Sequence, residues 1–375
     1  MSVAVELFER LATPAVRALR AYDPGHDLVA LRARFAPAAL VELGANENAY
    51  GPSPAARAAV LDVLNTLHRY PDPTGAALKA RIARAQELDP AGVVLGNGSH
   101  ELLMLIAQAF ATPGTEVVAS RYGFAVYALA AQAVGATLRL ADALPPAHAM
   151  PLGHDLDALA AAVGPMTRIV YLANPNNPTG TWFPRAALER FLGRVPGEVL
   201  VVVDEAYAEF VDDPAAGSAV PLLAAHPNLV VTRTFSKAYA LAGLRVGYAL
   251  AHPQLAAVLE RLRESFNVNS AAQAAALAAL DDDAHLAWVV ERNAEERAAL
   301  AAALSARGLR VLPSQTNFLL VDFGRDTAAL EPRLVAQGVV VRPVGGYGLP
   351  HCLRISVGTR DENRRLLAVL DGVLA

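Results

Sequence analysis

The chain has 375 residues, 54% of them hydrophobic and 18% charged, enough to bury a large core and long enough for two domains. A net charge of −4 without any run of like charge excludes an electrostatic footprint for nucleic acid. The single cysteine, Cys352, excludes an internal disulfide, and no Cys/His cluster has zinc spacing, so no metal site is expected and a reducing cytoplasm is the expected compartment. Residues 1 to 20 carry Glu6, Glu9 and Arg10 where a secretory peptide would be apolar. No window approaches the ~18 uncharged apolar residues of a membrane span, and neither targeting nor membrane is expected.

In chain order, Val5, Phe8, Leu11, Val16 and Leu19 recur near helical spacing and predict an amphipathic arm that packs on something larger, broken at Tyr22-Asp-Pro-Gly25. A short strand at Leu40–Leu43 leads into a Gly/Asn/Pro-rich loop over 44–54, whose Asn46 and Asn48 can read a polar ligand. Ser53 as N-cap and Pro54 at the first position predict a helix to Leu67. After an exposed turn over 68–75, from which Tyr70 projects, a second helix is expected over 76–86. Then the pattern alternates. Strands are predicted at 93–95, 116–119, 137–140, 168–173 and 199–203, with helices at 101–110, 124–134, 156–163 and 185–192. Short, continuously apolar strands separated by helices imply a mostly parallel sheet covered on both faces, with ligands beyond the carboxyl ends of its strands. Further helices are expected at 255–263, 271–280 and 285–307. Strands at 310–312, 317–322, 338–342 and 352–356 predict a smaller mixed sheet in a second domain. The expected division is an N-terminal arm over 1–45 packing with the small domain, a large domain over 46–270 and the small domain over 271–375.

The stretch Thr232-Arg-Thr-Phe-Ser-Lys-Ala-Tyr-Ala-Leu-Ala-Gly-Leu-Arg245 carries the chemistry. A lysine condenses with an aldehyde only when unprotonated, so Lys237 needs a desolvated or electropositive place. Thr234 and Ser236 can donate to phosphate oxygens, and Arg245 offers a planar fork that matches a phosphate bidentately. Gly96-Asn-Gly-Ser99, between a strand and a helix, aims backbone N–H groups and a helix dipole at an anion. Asp204 closes an apolar strand, an expensive position unless it meets a cation or several donors. A protonated pyridine nitrogen would serve, and Tyr207 and Asn177 can reach the phenolic oxygen of such a ring. Read singly, Asp204 can equally cap the next helix, Tyr207 can be core, and Asn-Pro is a common turn. Arg354 sits in an apolar strand and wants an anion, either a ligand or an acid of the small domain.

Asn-Pro-Asn-Asn-Pro-Thr-Gly at 174–180, Asp204-Glu-Ala-Tyr207 and Thr234-Phe-Ser-Lys237 through Arg245 together resemble the fold-type-I pyridoxal-phosphate aminotransferases. Within them the resemblance is to the histidinol-phosphate aminotransferase family, from Asn46-Glu-Asn-Ala-Tyr-Gly-Pro-Ser-Pro54 through Arg69-Tyr-Pro-Asp-Pro73 to Cys352-Leu-Arg-Ile-Ser-Val-Gly358. It implies an α/β fold, a large domain with a mostly parallel sheet sandwiched by helices plus a smaller α+β domain, and pyridoxal 5'-phosphate as cofactor. It makes Lys237 the lysine that bonds the cofactor and carries the proton, with Asp204 on the ring nitrogen, Asn177 and Tyr207 on the ring oxygen, and Tyr122 stacked on the ring. Ser99, His100, Ser236 and Arg245 would hold the phosphate, with Tyr70 reaching in from the partner of a homodimer with shared sites. Arg354, Arg342, Tyr22 and Asn46 would bind substrate. One position departs: relatives carry an acid where His100 stands, which alters the local charge but not the backbone contacts. The implied reaction is a two-half-reaction transamination of histidinol phosphate with 2-oxoglutarate. An aromatic amino acid aminotransferase and a decarboxylase of a phosphorylated amino acid share many of these residues. A non-enzymatic regulatory domain would need a DNA-binding module, and the arm is too short and insufficiently basic for one.

Overall fold

The computed structural model describes residues 8–19, 25–35 and 39–374. The strands are β1 (Val41–Glu42), β2 (Val93–Gly96), β3 (Glu116–Ser120), β4 (Thr137–Ala141), β5 (Thr167–Ala173), β6 (Leu200–Asp204), β7 (Leu229–Thr234), β8 (Gly247–Ala251), β9 (Arg310–Val311), β10 (Phe318–Asp322), β11 (Val339–Val340), β12 (Arg342–Pro343) and β13 (Cys352–Ser356). A seven-stranded sheet has the order β2-β8-β7-β6-β5-β3-β4. Its pairs are parallel except that β8 runs against both β2 and β7. Strand residues alternate between two apolar clusters. Val201 and Val203 of β6 pack on one side with Val170 and Val231, while Leu200 and Val202 pack on the other with Ile169 and Val230. This is why these strands read as unbroken apolar runs: both faces are covered, as in an α/β sandwich.

The helices fall close to their expected places. Ser53 caps Pro54–Val63 by accepting from the Ala56 N–H, and the next helices are Ala76–Gln86 and Ser99–Phe110. The helix Ser270–Leu280 packs on Pro54–Val63 and Ala76–Gln86, beside the large sheet. The 23-residue helix Asp283–Ser305 then leads to a second sheet of order β12-β13-β10-β9 with its own core, including Leu319, Val321, Leu353 and Ile355. Strand β1 pairs in parallel with β11, so the segment entering the large unit belongs to the small sheet's side. Two strands of the large sheet, β7 and β8, and the closing helix Arg360–Leu374 are additions to the elements expected from the sequence. In the arm, Thr13 caps a short helix, Pro14–Ala18, and Asp27 caps another, Leu28–Arg34. Phe8, Leu11 and Val16 are exposed. Pro14 opens the first of these helices instead of lying within one longer helix. The expected break at 22–25 lies largely outside the described residues.

Register positions the site. Ala173 pairs with Asp204 and Asp204 with Thr232, so β5, β6 and β7 end along one edge of the sheet. Reversed β8 begins there: Gly247 pairs with Gly96 on one side and with Thr234 on the other. The Asn174–Gly180 loop, Asp204, the Ser236–Lys237 turn and the Gly98–Ser99 helix start therefore converge at this edge.

Candidate active site

A cavity of about 440 Å³ opens at this edge and faces the small sheet. Lys237, Arg245, Arg342, Arg354 and His100 line it together with two acids, Asp204 and Glu47. Lys237 lies in the turn after β7. Its Nζ donates to the Ala45 carbonyl at 3.2 Å and stands 5.9 Å above the centre of the Tyr207 ring. Burial, then the Arg354 charge, pushes its pKa down to about 8, opposed by Glu47 and Asp204. A neutral, nucleophilic fraction of the amine is thus available near neutral pH.

Asp204, 4% exposed, closes β6. Oδ1 accepts from the Thr232 hydroxyl at 3.1 Å and Oδ2 from the Tyr127 hydroxyl at 3.3 Å. Burial raises its pKa to about 6, moderated by those two hydroxyls and the Ala206 N–H, with neighbouring Glu205 adding to the rise. It is a desolvated carboxylate facing a cavity, a place where a cationic partner is worth most.

The opposite end of the cavity is an anion cradle. Thr234 Oγ1 donates to Ser236 Oγ at 3.0 Å, Ser236 N–H returns a bond to Thr234 Oγ1 at 3.1 Å, and Arg245 Nη1 reaches Ser236 Oγ at 3.4 Å. The start of Ser99–Phe110 points into the same space. Glycines allow this convergence. A Cβ on Gly247 would lie 2.7 Å from Ser99 N, and one on Gly98, whose φ is +85°, would lie 2.5 Å from Arg245 Nη2. His100 lines the cradle, and burial followed by Arg245 lowers its pKa. Its ring is therefore mostly neutral at neutral pH.

The small sheet supplies the roof. Arg354 on β13 stands opposite Arg342 on β12. Arg354, 8% exposed, donates from Nη1 to Asn177 Oδ1 at 2.6 Å and from Nη2 to the Gly44 carbonyl at 2.8 Å. Asn46, with φ +56°, donates through Nδ2 to the Tyr207 hydroxyl at 2.9 Å. Its own N–H reaches Ser356 Oγ at 2.9 Å, and its carbonyl accepts from Asn317 Nδ2 at 3.0 Å. Asn46 thus ties the small sheet to a large-sheet tyrosine.

Of the residues singled out in the sequence, Lys237, Asp204, Tyr207, Asn177, Ser99, His100, Ser236, Arg245, Arg354, Arg342 and Asn46 all line this cavity. Tyr122 does not. Its carbonyl accepts from Asn176 Nδ2 at 2.9 Å, and Phe124, two residues on, lines the cavity alongside Tyr207. Tyr122 and Phe124 precede the same helix, and composition does not distinguish them. Tyr70 is 81% exposed, stacked on Phe266 at 4.6 Å, and is not part of this chain's cavity. Tyr22 lies outside the described residues. Sequence reasoning also missed Tyr127 and Glu47. Tyr127 reads as an ordinary core position of an apolar helix, while Glu47 had a signal, being the one acid in the Asn-rich loop 44–54. Among the described residues no cluster of His, Cys, Asp and Glu can hold a metal ion, and no helix is long and apolar enough to cross a membrane.

The family described as aminotransferase class I and II matches residues 38–370. Histidinol-phosphate aminotransferase 2 of Pseudomonas aeruginosa is 49% identical over 370 residues, which span 98% of this chain and 99% of that one. The protein of the same name from Pseudomonas fluorescens is 47% identical over 370 residues, 98% of each chain. Among solved structures, histidinol-phosphate aminotransferase from Sinorhizobium meliloti in complex with pyridoxal-5'-phosphate has a TM-score of 0.89 at 33% identity, with 97% of each chain covered. The fold is thus shared over nearly the whole chain with a solved histidinol-phosphate aminotransferase, and the chain belongs to the aminotransferase class I and II family, within its histidinol-phosphate aminotransferases.

Proposed function

We propose that the chain is a pyridoxal 5'-phosphate-dependent transaminase that exchanges the amino group between histidinol phosphate and 2-oxoglutarate in histidine biosynthesis. One observation carries the reading: Lys237, with its pKa near 8, stands between a buried carboxylate and an anion cradle, under two guanidinium groups. A flat cationic heterocycle with a phosphate tail suits that donor set. Asp204 is the desolvated acid for its ring nitrogen. Asn177 and Tyr207 would hold the ring oxygen, Tyr122 would stack on the ring, with Phe124 also in the cavity wall, and Ser99, His100, Ser236 and Arg245 would take the phosphate.

When bound, pyridoxal phosphate supplies an aldehyde that takes up the amino group and a cationic ring that withdraws electrons from the neighbouring carbon. Asp204 would keep the ring nitrogen protonated. Arg354, set by Asn177 and Gly44, orients the substrate's carboxylate or phosphate bidentately. Arg342 adds a second cation for the phosphate of histidinol phosphate. Lys237 Nζ takes the proton from the substrate α-carbon and later returns one, a general base already in place and held off full protonation by its surroundings. Asn46 holds the Tyr207 hydroxyl beside this lysine.

The reading includes a homodimer with shared sites. Tyr70, 81% exposed and stacked on Phe266, lies outside this chain's own cavity, so a second copy's Tyr70 would complete the cradle. We place the protein in the cytoplasm, consistent with its one cysteine being buried and unbridged. We divide the chain into an arm over 1–45, a large unit over 46–270 and a small unit over 271–375, with β1 of the arm joined to the small unit through β11. The function is tested by a half-reaction titration. Purified yellow protein is mixed separately with histidinol phosphate, phenylalanine and tyrosine, and conversion of the cofactor to its amine form is followed by absorbance. Rapid conversion by histidinol phosphate at low concentration is expected. Conversion by the aromatic amino acids alone would move the protein to aromatic metabolism.

A further inference from the structure

Tyr127 does not line the cavity, yet it touches two groups that do. Its hydroxyl stands 3.3 Å from Asp204 Oδ2 and 3.4 Å from the Leu172 carbonyl. The side chain is 1% exposed and is fixed by packing: its ring lies flat on Tyr171 at 4.9 Å and 4°, and Phe124 meets it edge-on at 5.9 Å and 90°. Tyr171 is anchored in turn by donating its hydroxyl to the Leu103 carbonyl at 2.8 Å. A phenol this deeply buried beside a carboxylate has its pKa raised far above the ordinary range, so it remains a donor at every working pH.

We propose that Tyr127 is a positioning residue: it holds Asp204 as a carboxylate aimed into the cavity and braces Phe124, so that one buried side chain sets both the acid for the cofactor's ring nitrogen and the aromatic wall beside it. The inference rests on the reading of Asp204 as the partner of that nitrogen. The groups facing Asp204 are few. Thr232 donates from β7, the Ala206 N–H from the following turn, and Tyr127 from the helix Ala125–Ala133; Glu205 is the neighbouring acid and Lys237 the nearby cation. Oδ2 has Tyr127 as its side-chain donor. Removing that donor leaves the charged form less well solvated inside a dry pocket, so the carboxylate takes up a proton at higher pH. A protonated Asp204 cannot pair with a ring cation.

The test uses the full chain, stripped of cofactor, and pyridoxamine 5'-phosphate as probe. That molecule has no aldehyde, so bonding to Lys237 does not enter the measurement. Its dissociation constant is measured by fluorescence from pH 5 to 9 for the wild type and for Tyr127→Phe, which keeps the ring contacts. Binding should weaken on acidification in both proteins. The midpoint in Tyr127→Phe should lie higher by about one pH unit, and its affinity at pH 5.5 should fall by roughly ten-fold, the scale of one lost hydrogen bond to a charged group. Replacing Tyr127 by 3,5-difluorotyrosine, a stronger donor of nearly the same shape, should move the midpoint down and keeps the test open if the Phe variant folds poorly. Coincident midpoints for wild type and either variant would overturn the role of Tyr127. Absence of any acid-dependent loss in the wild type would instead overturn the assignment of Asp204 to the ring nitrogen, and this inference with it.

Discussion

Replacing Arg354 by lysine keeps the positive charge and removes the fork. The guanidinium is 8% exposed and its two terminal nitrogens are already directed, one to Asn177 Oδ1 at 2.6 Å and the other to the Gly44 carbonyl at 2.8 Å. A lysine ammonium on a flexible stem can reach one of these acceptors and not hold a planar pair of donors toward a substrate anion. With hydrogen bonds from charged donors worth about 1.5–3 kcal/mol, the loss of one bond and of bidentate geometry should cost about 2 kcal/mol, or roughly thirty-fold. Asn177 loses its partner as well, so the damage reaches the cavity wall beside Tyr207. The assay is the half-reaction with glutamate, followed at the cofactor absorbance over a range of donor concentrations, with thermal melting as the control for folding. The decline should appear in kcat/KM, with KM rising. A value within about three-fold of wild type, in a variant with unchanged melting, would show that another residue holds the carboxylate and that Arg354 only supports the sheet.

Two more expectations follow from the titrating groups. Lys237→Ala should take up cofactor noncovalently and show no measurable turnover with either substrate; appreciable residual transamination in stopped-flow absorbance would remove Lys237 from the proton step. Asp204→Asn should stabilise the cofactor-free protein while abolishing activity. The Asp204 pKa is raised from 3.8 to about 6, so the folded state holds its proton more tightly than the unfolded chain. That stabilising contribution is complete below pH 3.8 and is lost as pH rises through about 6. At pH 7 the asparagine variant should therefore be more stable by about 3 kcal/mol, a shift of about two units at about 1.4 each, and the difference should vanish near pH 4. Denaturant unfolding at both pH values measures it, and equal stability at pH 7 would show that the buried charge carries no such cost.

The parallel strands announced themselves because both faces are covered, which leaves continuous apolar runs such as Leu200 to Val203. Strand β7 escaped because Thr232 and Thr234 interrupt its run. Those hydroxyls are spent inside the site, on Asp204 and on Ser236. Strand β8, Gly247-Tyr-Ala-Leu-Ala251, is rich in Ala and Leu, which favour helix over strand, and is held as a strand by antiparallel pairing on both edges. Asp204 and Arg354 were legible because each is a charged group in an apolar strand, a place that costs energy unless it is used, and Lys237 and Asn177 because their motifs surround them with small, hydroxylated or turn-forming neighbours. Tyr127 broke no rule of sequence, since a tyrosine in an apolar helix is unremarkable until its hydroxyl is seen against Oδ2. Phe124, which lines the cavity, was missed for a geometric reason: whether an aromatic ahead of a helix turns toward a cavity depends on the entry angle of the chain, and no residue-level signal encodes that.

The pairing of β1 with β11, together with the bonds from Asn46 N–H to Ser356 and from Arg354 to the Gly44 carbonyl, has a consequence for synthesis on the ribosome. Residues 41 to 46 are made early and then wait for partners about three hundred positions later. The large sheet can assemble on the nascent chain once β8 has emerged, because every strand in it lies between residues 93 and 251. The Asn46–Ser356 bond and the Arg354 part of the cavity roof cannot form until β13 is released. Translation arrested before residue 352 should thus yield a chain with a folded sheet, an exposed Lys237 and no Arg354 to orient a substrate anion, a state that chaperones rather than ligands must shelter.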